Sequence, residues 1–278
     1  MRDIRLIALD LDGTLLNSEK KLTPENEAAL RRASEAGIEI VPATGRFYGG
    51  MPDFIRELPF VRYAITINGA QVLDTGTGES VYRAEIPVAD AVRMMEYLDR
   101  LPVIYDCYMD GWGWMTSSMQ EKAAEYAPTP HNLKMLIELR HPVPELKAYL
   151  RDTGRDVQKV QAFFHDLDLR ARTIDELRLL FPDAAVTTSI SNNMEINHKD
   201  AQKGKALAGL ASHLGIDVSE TVSFGDDMND LSMIETAGIG VAMANAAPDL
   251  IKAADRVTES CDDNGVAREI DRILASLC

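Results

Sequence analysis

Three segments of this sequence carry polar residues in a spacing that could do chemistry: Asp10-Leu11-Asp12-Gly13-Thr14, Thr44-Gly45-Arg46 and Gly225-Asp226-Asp227-Met228-Asn229-Asp230. Each follows a short, largely apolar run (residues 5–9, 38–42 and 221–224), as expected of strands buried on both faces of a parallel sheet. In an open parallel sheet, ligands bind beyond the carboxyl ends of the strands, so the three segments should converge on one site. That site would hold several carboxylates, one hydroxyl and several loop amides. Carboxylates that close repel one another. A hard divalent cation relieves this, and Mg²⁺ typically takes one or two carboxylates plus waters and phosphate oxygens. Lys203, at the start of a predicted helix, adds a positive side chain, and loop amides near Leu11, Gly13 and Gly45 add donors. Such a set makes a place for a phosphoryl group, whose transfer asks mainly for in-line positioning and charge stabilisation.

The elements that must position these residues alternate. A helix starts at Thr23-Pro24-Glu25, where Thr23 can cap and Pro24 suits the first turn, and Gly37 can stop it. Tyr63 to Ile67 reads as a third strand, followed by the Asn68-Gly69 turn signal. The middle of the chain differs, reading as a helix from Val88 to Leu101, strands at 103–109 and 112–116, then further short helices and strands to about Asn197. The α/β pattern resumes with a helix over 203–214 closed by Gly215, strands at 221–224 and 239–243, a helix opened by Pro248 and a last helix from about Val266. The expected fold is therefore α/β, a doubly wound (Rossmann-like) parallel sheet core with an inserted α+β domain. The expected boundaries are a core of residues 1–84 and 198–278 and an insertion of residues 85–197.

A chain of 278 residues suits about two domains. The net charge of −15 disfavours binding to nucleic acid and to anionic membrane surfaces, and no apolar stretch approaches the ~20 residues of a membrane span. The N-terminal apolar run is too short for a signal peptide. Cys107, Cys261 and Cys278, odd in number and widely spaced, argue against a disulfide framework or a zinc site, and the expected compartment is a reducing cytoplasm. No glycine-rich dinucleotide or P-loop pattern follows a strand.

The sequence resembles the haloacid dehalogenase superfamily of phosphatases, and within it the Cof-type branch, whose large α/β cap is inserted between the second and third motifs. Asp10-Leu11-Asp12-Gly13-Thr14-Leu15-Leu16 resembles the first motif, Ala43-Thr44-Gly45-Arg46 the second, Lys203-Gly204-Lys205-Ala206-Leu207 the third and Gly225–Asp230 the fourth. The Asn68-Gly69-Ala70 turn and the segments at 241–246 and 263–267 are similar to that branch as well.

This resemblance implies a Mg²⁺-dependent phosphoric monoester hydrolase acting on a small phosphorylated metabolite. Asp10 would be the nucleophile, forming an aspartyl-phosphate. Asp12 would protonate the leaving oxygen and then activate water. Mg²⁺ would be held by the carboxylates of Asp10 and Asp226 and the backbone carbonyl of Asp12. Thr44, Lys203, the amides of Leu11 and Gly45 and the side chain of Asn229 would hold phosphoryl oxygens. Asp230 would orient Lys203 or a metal-bound water. Asp227 is either part of the acidic set or an exposed loop acid, and Arg46 faces either the substrate or the protein. The inserted domain would act as a cap hinged near residues 84–87 and 196–199, with Asn68, Asn192, Asn193 and Glu195 as candidates for leaving-group selection. Met94, Met95, Met115 and Met119 read as packing of that domain. Two alternatives stay open: a phosphosugar mutase using the same aspartyl-phosphate, and a non-catalytic protein that binds a phosphorylated metabolite.

Overall fold

The computed structural model describes residues 3–277; Cys278, counted among the cysteines above, lies outside the described residues. In chain order the strands are β1 (Leu6–Leu9), β2 (Glu39–Pro42), β3 (Tyr63–Thr66), β4 (Gln71–Asp74), β5 (Ser80–Arg83), β6 (Val103–Met109) and β7 (Trp112–Thr116). They continue as β8 (Arg140–Val143), β9 (Lys159–Phe164), β10 (Ala184–Thr187), β11 (Asn193–His198), β12 (Thr221–Gly225), β13 (Ile239–Ala242) and β14 (Arg256–Val257). The chain divides into two compact units. One comprises the residues up to Arg46, Met51–Arg83 and the residues from Asp200; the other comprises Phe47–Gly50 and Ala84–Lys199.

The first unit is built on a five-stranded parallel sheet in the order β14-β13-β12-β1-β2. From β1 the chain moves one way to β2 and later the other way to β12, so the strand order reverses between β1 and β12. The carboxyl ends of those two strands form the crevice where α/β sheets bind ligands. β1 is wholly buried, which is why its sequence runs apolar without alternation. The helix Pro24–Glu35 packs against Gly265–Leu277, and Lys203–Leu214 packs against Leu231–Thr236. Leu207, Leu210 and Met233 from the second pair join Leu6, Ala8 and Val41 in one core.

The capping signals hold. The Thr23 side chain accepts from the Asn26 amide at 3.2 Å, and Gly215 closes Lys203–Leu214 in the left-handed conformation. Tyr63–Thr66 is a strand as expected, but it belongs to a separate three-stranded antiparallel sheet, β3-β4-β5, and meets β2's chain through a single bridge, Ala43 to Ile65. The Asn68-Gly69 signal marks the β3–β4 connection, where Ile67, Asn68 and Gly69 all have positive φ. The helix from Val88 ends at Leu98 rather than Leu101, because Pro102 disfavours helical backbone in the residue before it.

The second unit carries a six-stranded sheet, β10-β11-β9-β6-β7-β8, antiparallel except for β7 beside β8. One face packs Tyr105, Cys107, Val160 and Ala162 against Met94 and Met95, Leu146 and Leu150, and Leu177. On the other face Ile104, Met115 and Phe163 are covered by Ala123 and Leu136. The four singled-out methionines are thus packing residues, Met119 lying at the edge of both clusters. Among the described residues no helix is long and apolar enough to cross a membrane.

Candidate active site

Asp10 is the first residue beyond β1, tied to the neighbouring strand by its amide on the Phe224 carbonyl at 3.0 Å. Asp226 is the first beyond β12. Adjacent parallel strands therefore bring two carboxylates together at the switch point, although 216 residues separate them along the chain. After Asp10 the chain doubles back: the Leu15 amide donates to the Asp10 carbonyl at 3.2 Å and the Leu16 amide to the Leu11 carbonyl at 2.8 Å. The turn needs glycine at position 13, where φ is +100° and a Cβ would stand 2.3 Å from an Asp226 carboxylate oxygen. Thr14 Oγ1 donates to Asp226 Oδ1 at 2.8 Å, and the Asn245 side chain donates to the Gly13 carbonyl at 2.8 Å.

Lys203 opens its helix wholly buried, and its Nζ donates to Asp10 Oδ1 and to Asp230 Oδ1, each at 2.6 Å. Asp230 is equally buried, and its other oxygen accepts from the amides of Asp226 at 3.0 Å and Asp227 at 3.2 Å. Carboxylate oxygens of Asp10, Asp226 and Asp230 lie within 4.8 Å of one another. Three carboxylates thus face one ammonium. Burial, first of all, and the repulsion of Asp230 and Asp226 against the pull of Lys203, push the Asp10 carboxyl up to about 7. Burial, with Asp230 and Asp227 nearby and the Thr14 hydroxyl opposing, pushes Asp226 up to about 6. Lys203 moves upward as well: burial opposes its charge, and Asp10 and Asp230 outweigh that. The surplus negative charge and the hard oxygen donors fit a divalent cation. Asp230 accepts through both oxygens, from Lys203 and from two amides, whereas Asp10 accepts from Lys203 and Asp226 from Thr14 through one oxygen each.

Asp12 stands apart from this cluster. Arg46 forks onto it, Nε at 3.0 Å and Nη2 at 2.9–3.1 Å, and Lys20, at positive φ, reaches it at 3.1 Å. Burial opposes its charge, but Arg46 and then Lys20 prevail and hold the carboxyl below its usual range. Thr44 is buried beyond β2, its hydroxyl accepting from the Arg46 amide at 3.2 Å. A Cβ on Gly45 would come within 3.0 Å of Asn68 Oδ1, the same oxygen that accepts from the Asn229 side chain at 3.3 Å. Asp227 is exposed and caps the short turn at Met228 through its own carboxylate at 2.7 Å.

The first unit therefore gathers Asp10, Asp226, Asp230 and Lys203 into one cluster, pairs Asp12 with Arg46, and joins Gly45, Asn68 and Asn229. Asn192, Asn193 and Glu195 belong to the second unit, in hydrogen bonds of its own. Glu195 pairs with Lys159 at 2.7 Å and accepts from Ser189, Asn193 accepts from the amides of Ser189 and Ile190, and Asn192 donates to the Tyr126 carbonyl at 2.7 Å. Thr14, Lys20 and Asn245 are participants that the site residues chosen from sequence leave out. Thr14 stands in the Asp-Gly-Thr run and Asn245 in a segment already noted, whereas a lone lysine eight residues after Asp12 carries no local signal.

Residues 7–270 match the family model described as haloacid dehalogenase-like hydrolase. The chain is 31% identical to Phosphatase YwpJ of Bacillus subtilis, over 98% of this chain and all of that one. It is also 31% identical to Pyridoxal phosphate phosphatase YbhA of Escherichia coli, over 90% of each. Among solved structures, a haloacid dehalogenase-like hydrolase from Bacteroides thetaiotaomicron superposes with a TM-score of 0.83 at 29% identity, over 98% of this chain and all of that one.

Proposed function

The chain belongs to the haloacid dehalogenase-like hydrolase family, and on that premise we propose that it is a Mg²⁺-dependent phosphomonoesterase. Its substrates would be small phosphorylated metabolites, sugar phosphates or related compounds, and its intermediate an aspartyl-phosphate on Asp10. The observation that carries this reading is the buried Asp10 carboxylate at the switch point, 2.6 Å from Lys203 and grouped with Asp226.

In this reading the carboxylates of Asp10 and Asp226 and the backbone carbonyl of Asp12 hold the cation, which supplies charge neutralisation to the phosphoryl oxygens. Lys203, Thr44, the amides of Leu11 and Gly45 and the Asn229 side chain orient the phosphoryl group. An Asp10 oxygen forms a bond to phosphorus as the ester oxygen–phosphorus bond breaks, and Asp12 gives a proton to the departing oxygen. Asp12 then takes a proton from the water that releases phosphate from Asp10. Asp230 keeps Lys203 in place rather than binding the cation itself. Arg46 and Lys20 stabilise the carboxylate form of Asp12, the form that accepts the proton from water. The second unit, proposed as a cap over residues 85–197, would select the leaving group.

The test is phosphate release from a panel of phosphomonoesters that includes sugar phosphates, with Mg²⁺ or with a chelator. Release should require the cation and should vanish in Asp10→Asn. Activity surviving in Asp10→Asn removes the aspartyl-phosphate. Isomerised sugar phosphate with little free phosphate assigns the mutase reaction instead.

A further inference from the structure

Ile67, Asn68 and Gly69, consecutive between β3 and β4, have φ of +52°, +55° and +95°. Glycine adopts this backbone freely and asparagine readily, but a β-branched residue there is an outlier. Ile67 is nevertheless fully buried. A strained turn of this kind persists only when its surroundings over-determine it, and such turns gather at functional sites. Here the surroundings are segments that the proposed function uses. The Ile67 amide donates to the Arg46 carbonyl at 2.9 Å, the Asn68 amide to the Thr44 carbonyl at 3.0 Å, and the Thr44 amide to the Ile65 carbonyl at 2.9 Å. These bonds fall on both sides of Gly45 and leave its amide without a partner among the described residues. A Cβ on Gly69 would stand 2.8 Å from the Lys203 amide nitrogen, so the turn also abuts the helix start that carries Lys203. All of these residues belong to the first unit.

The Asn68 side chain extends the reach of the turn. A Cβ on Gly45 would stand 3.0 Å from its Oδ1 and 3.4 Å from its Nδ2, so the carboxamide lies against the Gly45 backbone. Its Oδ1 accepts from Asn229 Nδ2 at 3.3 Å. A side-chain amide nitrogen carries two hydrogens in a fixed plane, so a bond to one sets the direction of the other. We infer that Asn68 is a positioning residue for the phosphoryl group: held by the left-handed turn, it engages one Asn229 hydrogen and aims the second at a phosphoryl oxygen beside the Gly45 amide. This assigns Asn68 to the phosphoryl end of the substrate rather than to the leaving group. The inference rests on the reading of Asn229 as a holder of the phosphoryl group.

Binding of inorganic phosphate in the presence of Mg²⁺, followed by calorimetry, tests this without a leaving group. Asn68→Gly keeps a backbone suited to positive φ and removes the carboxamide. Asn68→Ala removes the same oxygen without loosening the unfolded chain, and carries the test should Asn68→Gly fold poorly. Either should weaken phosphate binding about 5-fold while Mg²⁺ binding, measured without phosphate, changes less than about 2-fold; a general loosening of the site would move both. Asn229→Ala should weaken phosphate binding about 10-fold in the wild-type background, as loss of a hydrogen bond to a charged group does, but less than about 3-fold in the Asn68→Gly or Asn68→Ala background, because the aim is already gone. Asn68→Asp keeps an acceptor on a left-handed backbone, and in it the Asn229→Ala factor should return to about 10-fold. Unchanged phosphate binding in the Asn68 variants, an Asn229→Ala factor that is the same in every background, no return of that factor in Asn68→Asp, or parallel losses of phosphate and Mg²⁺ overturns the inference while leaving the phosphatase reading intact. A wild-type chain that binds no phosphate, or Asn229→Ala binding it as well as the wild type, overturns the reading of Asn229 and the inference with it.

Discussion

Lys203 shares one positive charge between two buried carboxylates, Asp10 and Asp230, while Asp226 stands near with none of its own. Replacing it by methionine preserves length and burial but leaves two buried acids without their ammonium. Loss of one partner of such a buried pair costs about 3–5 kcal/mol. Lys203→Met should therefore lower the free energy of unfolding by that amount and release no phosphate; a variant as stable as the wild type in a denaturant titration would remove the ion-pair argument. The surplus charge also sets a pH dependence. Asp10 and Asp226, raised to about 7 and about 6 from an ordinary value of 3.8, titrate higher in the folded chain than in the unfolded one. A raised carboxyl favours folding while it is protonated, so its contribution is lost as pH rises from about 4 through 7. The metal-free protein should melt lower at pH 8 than at pH 5, and Mg²⁺ should raise the melting temperature more at pH 8. The reverse order in a chelator-against-Mg²⁺ melting comparison would move the cation away from these acids.

At the scale of elements, the site depends on how closely the Lys203–Leu214 helix approaches its neighbours. A Cβ on Gly204 would stand 2.1 Å from the Ser232 carbonyl and 2.5 Å from Thr236 Oγ1. Gly204 thus lets two helices touch backbone to backbone immediately beside Lys203. Gly204→Ala should cost about 1–3 kcal/mol by overpacking and reduce kcat with it, because relief of the clash moves the first turn that carries Lys203. A variant with unaltered melting temperature and kcat would remove that packing argument. Elements of this kind were legible in the sequence. The helix reads directly as 203–214, since Gly215 ends it, and β6 and β7 read at their observed bounds. Partnership was less legible: nothing in Tyr63–Thr66 says that it pairs with β4 rather than extending the parallel sheet, because both kinds of buried strand look alike along the chain.

Among the described residues, the core around Leu207 in the first unit and the core around Leu150 in the second share no residue. Both tryptophans, Trp112 and Trp114, lie in the second unit, so indole fluorescence reports on that unit. Leu150→Ala should cost about 2–5 kcal/mol and shift the fluorescence transition, whereas Leu207→Ala, with a similar cost, should act mainly on the calorimetric transition of the first unit. Coincident shifts of both signals in both variants would show that the chain unfolds as one cooperative body.

The sequence by itself determined where β1, β2, β12 and the helix over 203–214 lie, that polar segments follow three of the strands, and which residue types those segments carry. Those properties are local: burial on both faces, caps and turns write themselves into a few consecutive residues. The tertiary structure alone decided that Lys203 meets Asp10 across 193 residues, that Arg46 and Lys20 take Asp12, and that Glu195 pairs with Lys159. It also decided that Phe47–Gly50 leaves its neighbours for the other unit. Such pairings depend on which strands lie side by side and which residues a side chain can reach, and no period or spacing along the chain encodes either.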